Sequence, residues 1–514
     1  MRKILTAVLV FGLAVGALAG RDILILGTTD RITQLAFANS YDHFTWHILR
    51  HTTKALVGLE PGTNKVIPAV AESWEVSEDA MVYTFHIRPG LTFWDGTPCD
   101  AKAVKWALER TISLNGPEGG VFLIADPIDR IEVVDDLTVR IYLKYPDRTF
   151  LIRMTDSVIP ALIYAKAPED KFCETGQDYV GLGPYRIVEY VPDERVVLEA
   201  VDTYFGKKAK TKRIVWAMYS DAAALRAAIE AGDIDVAFRT LNPIDLVDLQ
   251  KNPNLQVIAG PSASIRYILF NVTQPPVDNV FVRQAIAYAV DRDAICELVF
   301  SNLNKPIYTM VPKGMPPVGA SIDVFPKRDL DKARELLRLA GYSEENKLKL
   351  NLWYTPKHYG TTEADVAAVL KQAIEETGMV EITIQSLEWG AYTERMSQGG
   401  FDMFLLGWYP DYLEASNFLD PWLTGAPEGL GTYFNHHPNY PAYKRIMEVA
   451  LSTVDDEKAA KLYQAFQILS AYDVPWIPLW ANLQQAYVVA KKEVKGLVLD
   501  LTMELHLDLL YIED

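Results

Sequence analysis

Two tryptophans, several tyrosines and one carboxylate gather in Glu388-Trp389-Gly390, Phe401-Asp402-Met403 and Gly407-Trp408-Tyr409-Pro410-Asp411-Tyr412. Those residue types suit a flexible ligand that carries a positive charge. A carboxylate compensates an ammonium stripped of water and offers it acceptors, and an indole face adds cation-π attraction. The competing reading makes Trp408 and Tyr409 core aromatics and Asp411 the cap of a turn before Tyr412. Phe401 to Leu406 is apolar apart from Asp402, which predicts a buried strand of an α/β layer, ended by Gly407. Trp408 to Asp411 then emerge at a sheet edge, where such folds place ligands.

Other chemistries find less support. There is no GxSxG elbow, HExxH helix, P-loop or CxxC pair in the chain, so no catalytic residue, cofactor or metal is expected. A secreted hydrolase acting on peptides or glycans is the enzyme reading that remains. His436 and His437 are adjacent, so their side chains diverge, and no cysteine is near; they read as solvent-facing loop histidines. Asp455-Asp456 falls at a helix start, where negative charge favours the dipole. Cys99, Cys173 and Cys296 permit three pairings or none. Cys99 and Cys173 lie in loop-like sequence flanking one putative subdomain, which favours a bridge between them, with Cys296 reduced in an apolar helix.

Residues 1–20 place the protein outside the cytoplasm. Arg2 and Lys3 precede the apolar stretch Ile4 to Leu18, and Ala17-Leu18-Ala19 is a small-x-small cleavage pattern, the signature of an export signal. No cysteine follows Gly20 for acylation, so a freely soluble periplasmic or extracellular protein is expected, with an uncleaved anchor as the alternative. At 514 residues the chain exceeds what one core sustains, so two or three units are expected. A net charge of −17 argues against nucleic acid, whose phosphates it would repel. Hydrophobic content of 49% excludes disorder.

The elements that must position the aromatic segment follow from periodicity. Asp22 to Gly27 reads as a strand and Ser40 to Leu59 as a helix. Met81 to Ile87 and Thr138 to Leu143 alternate with period two around a helix at Ala101 to Ile112, a compact α+β insert. Gly181-Leu182-Gly183-Pro184-Tyr185 opens a new segment. Helices are then expected at Ala222 to Ala231, Val282 to Phe300, Asp329 to Ala340 and Glu363 to Thr377. Strands are expected at Ile234 to Phe238, Ile265 to Asn271, Leu348 to Trp353 and Glu381 to Leu387. Their alternation predicts a largely parallel sheet covered on both faces.

In this order the landmarks resemble the extracellular solute-binding proteins of ABC importers, in particular the dipeptide and oligopeptide-binding family (family 5). The resemblance rests on Pro68 to Arg110, with its Ala71-Glu72-Ser73-Trp74 turn, Tyr83-Thr84-Phe85, Arg88-Pro89-Gly90 and Asp95-Gly96-Thr97-Pro98. It continues in Gly181 to Tyr185, with leucine at 182 where threonine is more usual, Val282 to Ile286 with Asp291-Arg292, Ala333 to Tyr342, and Tyr463 to Leu479.

That resemblance implies an α/β fold of two lobes joined by a hinge, with an extra α+β subdomain inserted in the first lobe. Lobe I would comprise residues 21–66, 179–262 and 480–514, the insert 67–178, and lobe II 263–479. The crossings fall near Gly260 to Asn271 and near Pro475 to Gln485. Trp389, Gly407, Trp408, Tyr409 and Asp411 match family positions lining a peptide cleft, and the residue matching Asp411 binds the peptide's α-ammonium. Tyr267, Asp42, His43 and Trp46 are weaker candidates. Leu405 stands where some oligopeptide binders carry arginine, and Tyr409 where some relatives carry a disulfide cysteine. The implied activity is capture of a di- or oligopeptide by lobe closure and delivery, as a monomer, to the membrane subunits of an ABC permease. An oligosaccharide receptor of the same family is the alternative, since 11 Trp and 26 Tyr could supply stacking platforms.

Overall fold

The computed structural model describes residues 22–117, 119–156, 163–424, 430–483 and 486–513; the expected export signal lies outside them. Two mixed sheets carry the chain. The first has seven strands in the order Leu255–Ala259, Tyr487–Lys491, Val236–Phe238, Ile23–Thr28, Arg213–Met218, Arg195–Ala200, Tyr185–Val191. Its centre is parallel, because Ile23–Thr28 pairs in parallel with both Arg213–Met218 and Val236–Phe238. The loops after those three strands therefore open at one end.

The second sheet has six strands in the order Lys305–Pro306, Trp476–Ala481, Ile265–Phe270, Met403–Trp408, Leu348–Tyr354, Val380–Ser386. Met403–Trp408, an unbroken apolar run, and Ile265–Phe270, apolar but for Arg266, are buried at every position. The chain passes from one sheet to the other between Ala259 and Ile265 and returns between Ala481 and Tyr487. The strands entering and leaving pair with one another on both sides, Leu255–Ala259 with Tyr487–Lys491 and Ile265–Phe270 with Trp476–Ala481. Two crossings flanked by paired strands make a hinge. A separate antiparallel sheet of Ala71–Val76, Val82–Ile87, Thr138–Leu143 and Ile128–Asp135, covered by helix Ala101–Leu114, forms the α+β insert.

Helix starts share one device. Asp42, Asp100, Asp221, Asp291, Asp329 and Asp455 each accept the backbone N–H three residues on. The expected helix over Val282 to Phe300 is broken by it: Asp291 caps a second helix, Arg292–Leu298, after Val280–Ala289. The expected helix Ser40 to Leu59 is His43–Thr52 alone, and Val57–Leu59 is a strand. Thr52 and Thr53 turn their hydroxyls back to the Leu49 carbonyl at 3.1 and 2.8 Å, which offers the backbone an exit from the helix.

Three further expectations are corrected. The second sheet is not largely parallel: Leu348–Tyr354 runs parallel to its neighbours, but Ile265–Phe270 is antiparallel to both of its own. The hinge strands impose that reversal. All three cysteines are free and buried, so Cys99 and Cys173 form no bridge. Cys99 sits where its N–H meets the Leu91 carbonyl, whereas Cys173 borders a void beside Arg110 and Tyr164. Burial pushes the Cys99, Cys173 and Cys296 thiols up to about 12, 11 and 12. Finally, His437 stacks on Phe434, ring centroids 4.9 Å apart, and only His436 is solvent-facing. The described residues include no cluster of three or more metal-ligating side chains.

Candidate functional site

A cavity of about 430 Å³ lies between the two sheets. One wall comes from loops at the open end of the first sheet: Asp30 and Arg31 after Ile23–Thr28, Arg239 after Val236–Phe238, and Tyr41, Asp42, His43 and Trp46 at the start of helix His43–Thr52. Thr502 and Met503 join them. The other wall is Ser264, His358, Tyr359, Trp389 and the run Leu406 to Asp411.

Gly407 lies inside strand Met403–Trp408 rather than ending it. A Cβ there would come within 2.6 Å of Arg266 Nη1 and 2.8 Å of Tyr359 Cε1, so the strand needs a glycine at this point. The Arg266 guanidinium lies 3.6 Å from the Tyr359 ring centroid and pairs with Glu363 in the core beneath. Tyr359 donates to the Gly407 carbonyl at 3.3 Å. Above this base Trp389 stacks on His358 with centroids 3.6 Å apart and planes 2° off parallel. Tyr409 lies 6.3 Å from Tyr359 in a nearly parallel plane.

Asp411 is 6% exposed. Its Oδ1 accepts from the Tyr41 hydroxyl, a contact from the first wall to the second. Its Oδ2 accepts from Asn417 Nδ2 at 3.2 Å. Asn417 Oδ1 in turn accepts the Asp411 N–H at 2.8 Å and Trp408 Nε1 at 3.0 Å, which fixes both residues to one amide. Burial raises the Asp411 carboxyl to about 6, against the opposing pull of Tyr41, Asn417 and Arg153. Asp411 and Trp408 also border a second cavity of about 730 Å³, which reaches between the insert at Phe122, Tyr145 and Arg153 and the far side of lobe II at Tyr412 and Met447.

The weaker candidates are placed differently. Asp42 lines the cavity, yet its carboxylate accepts the Thr45 N–H at 2.8 Å and the Thr33 hydroxyl as the helix cap. His43 Nε2 lies 2.8 Å from the Thr502 carbonyl and 3.4 Å from Glu504. Burial, with the Arg239 charge, lowers that imidazole to about 4 although Glu504 opposes it. Trp46 donates to the Ser40 carbonyl at 3.0 Å and meets the Tyr41 ring edge-on at 5.2 Å. Tyr267 is buried in its strand and is not part of the cavity lining. Sequence reading passed over Tyr41, Arg239, His358, Tyr359 and Asn417. Of these only Tyr359, an aromatic in a loop after a strand, carried any local signal.

The sequence pattern of the bacterial extracellular solute-binding proteins, family 5 Middle, matches residues 65–429. The dipeptide-binding protein of Escherichia coli (strain K12) is 27% identical over 482 residues, covering 89% of this chain and 88% of that protein. Heme-binding protein A of Haemophilus influenzae is 29% identical over 467 residues, covering 86% and 83%. Among solved structures, HbpA2 from Haemophilus parasuis superposes with a TM-score of 0.82 at 25% identity, covering 96% of this chain and all of that one. Hinge, insert and inter-lobe cavity thus sit in a two-lobed binding-protein fold, and the chain belongs to the family 5 bacterial extracellular solute-binding proteins.

Proposed function

We propose that this protein is an exported receptor that encloses a short peptide between its lobes and passes it to an ABC permease. The observation that carries the reading is Asp411: a buried carboxylate, held at fixed angle by Asn417, on the wall of a cavity shared by both lobes. An amine-bearing ligand supplies the compensating charge that such a site wants. Ligand contacts to both walls favour the closed arrangement over the open one, and that difference in affinity drives closure. The names of two relatives, a dipeptide-binding protein and a heme-binding protein, bracket the ligand classes.

An oligosaccharide is less well served, because one face of Trp389 is already covered by His358. Calorimetry at neutral pH with Ala-Phe, N-acetyl-Ala-Phe, glutathione, haem and cello-oligosaccharides tests the proposal. Ala-Phe is expected to bind and its acetylated form to bind at least about tenfold more weakly. Saturable binding of haem or sugar with no response to any peptide would replace this reading.

A further inference from the structure

We infer that Arg239 is the anion site of the cleft and receives the carboxylate of the bound ligand; the inference rests on the peptide reading above. Strands Ile23–Thr28 and Val236–Phe238 run in parallel, Leu26 beside Val236 and Gly27 beside Ala237, so their following loops bring Asp30 and Arg239 together at the cavity. Two guanidiniums line this wall, and they differ in what they have to offer. Arg31 is occupied: it donates to the carbonyls of Thr29, Asp30 and Tyr219 at 2.9, 3.0 and 2.8 Å.

Arg239 is not. Its side chain is 9% exposed, and its Nε and Nη1 are buried without a hydrogen-bond partner among the described residues. Asp30 Oδ2 stands 3.2 Å from Nε, close enough to balance charge but not aligned to accept a hydrogen bond, and it too is unsatisfied. Buried donors left this way are uncommon and costly, and at a cavity wall they point to a ligand acceptor. The backbone agrees. Arg239 and Thr240 both take left-handed angles, φ 41° and 62°, which non-glycine residues avoid unless the surroundings require it. That turn aims the side chain into the cleft at the cost of local strain.

A guanidinium fork matches a carboxylate in shape and charge. With Asp411 on lobe II and Arg239 on lobe I, a zwitterion is held by its two ends from opposite walls, so each end helps to draw the lobes together. Leu405 is buried and apolar, so strand Met403–Trp408 offers no such cation at that position.

The test compares Ala-Phe with its C-terminal amide, by calorimetry, on the full-length protein and on Arg239→Gln and Arg239→Lys. Thermal melting of each variant checks that it folds. The unmodified protein is expected to bind the acid at least about tenfold better than the amide. Arg239→Gln removes that ratio while keeping the preference for a free over an acetylated amine, and Arg239→Lys keeps part of it. Equal binding of acid and amide by the unmodified protein, which needs no variant, or an unchanged ratio in Arg239→Gln, would overturn the role of Arg239 and leave the peptide reading standing. Binding of none of the peptides would remove both.

Discussion

Asp411 was legible as a residue because a lone carboxylate follows Gly407-Trp408-Tyr409-Pro410. Its setting was not legible: Tyr41 lies 370 positions away and Asn417 is an unremarkable polar residue, and only the fold brings them to its two oxygens. The raised carboxyl makes a sharp prediction. Pairing with an ammonium needs the ionised form, so affinity for a free-amino peptide should be flat above about pH 7 and fall roughly tenfold per unit below about 6. N-acetyl peptides should lack that slope. Asp411→Asn should flatten the profile and weaken free-amino peptides by roughly 2–5 kcal/mol. Calorimetric titrations from pH 5 to 8 decide it, and a flat profile in the unmodified protein with a free-amino peptide would contradict the role given to Asp411. His43 and Asp42 show the opposite lesson. Their types suggested a site, but the Asp42 carboxylate serves as a helix cap and His43 Nε2 meets the Thr502 carbonyl.

At the scale of elements, strand Met403–Trp408 depends on a missing side chain. Gly407→Ala would drive a methyl into Arg266, which pairs with Glu363 in the core, and into the Tyr359 ring over which its guanidinium lies. The expected loss is about 1–3 kcal/mol in stability, together with weaker peptide binding as the Tyr359 ring shifts toward the cleft. Denaturant melts and calorimetry on the variant check both, and a fully stable Gly407→Ala with unchanged affinity would show that the base of the cleft yields. Element type was readable wherever a cap and a periodic face coincided, as at Asp329 with Leu336 and Leu337. It was misread where local signals competed. Gly407 resembles a strand terminator in sequence, and only the approach of Arg266 from the neighbouring strand gives it another purpose. The direction of the second sheet was equally hidden, since antiparallel pairing there comes from the chain's return through the hinge.

For the whole molecule, the segment around Asp500 to His506 fastens to helix His43–Thr52 through buried charge. Arg50 reaches Asp500 at 3.0 Å and Glu504 at 3.4 Å, His506 reaches Asp500 at 2.8 Å, and His47 bonds Glu504. Burial alone would raise the Glu504 carboxyl, but His43, His47 and Arg50 outweigh it and hold it at about 2, below the ordinary 4.5. A depressed carboxyl stabilises the fold above its unfolded value and stops doing so as pH falls through the folded one. For Glu504 that window runs from about 4.5 down to 2. His43, lowered to about 4 from 6.5, is kept neutral; its contribution is complete above 6.5 and is lost on acidification toward 4. Both act in the same direction, so what this fastening contributes should shrink from about pH 6.5 to 2, against the opposite slope of the raised Asp411 carboxyl between about 6 and 3.8. Glu504→Gln leaves Arg50 short of one partner and should cost roughly 3–5 kcal/mol at neutral pH, with a shallower acid limb. Calorimetric melts across that range measure it, and an unaltered melting temperature at pH 7 would show the network to be dispensable. The two-lobed architecture was foreseeable from the order of motifs, whereas this fastening was not, because its members are some 450 positions apart. The phenol of Tyr41 on the carboxylate of Asp411 has a quieter effect. It joins the two walls beside Trp46 and Trp408, both buried, and so keeps a greasy lining from contact with passing polypeptides.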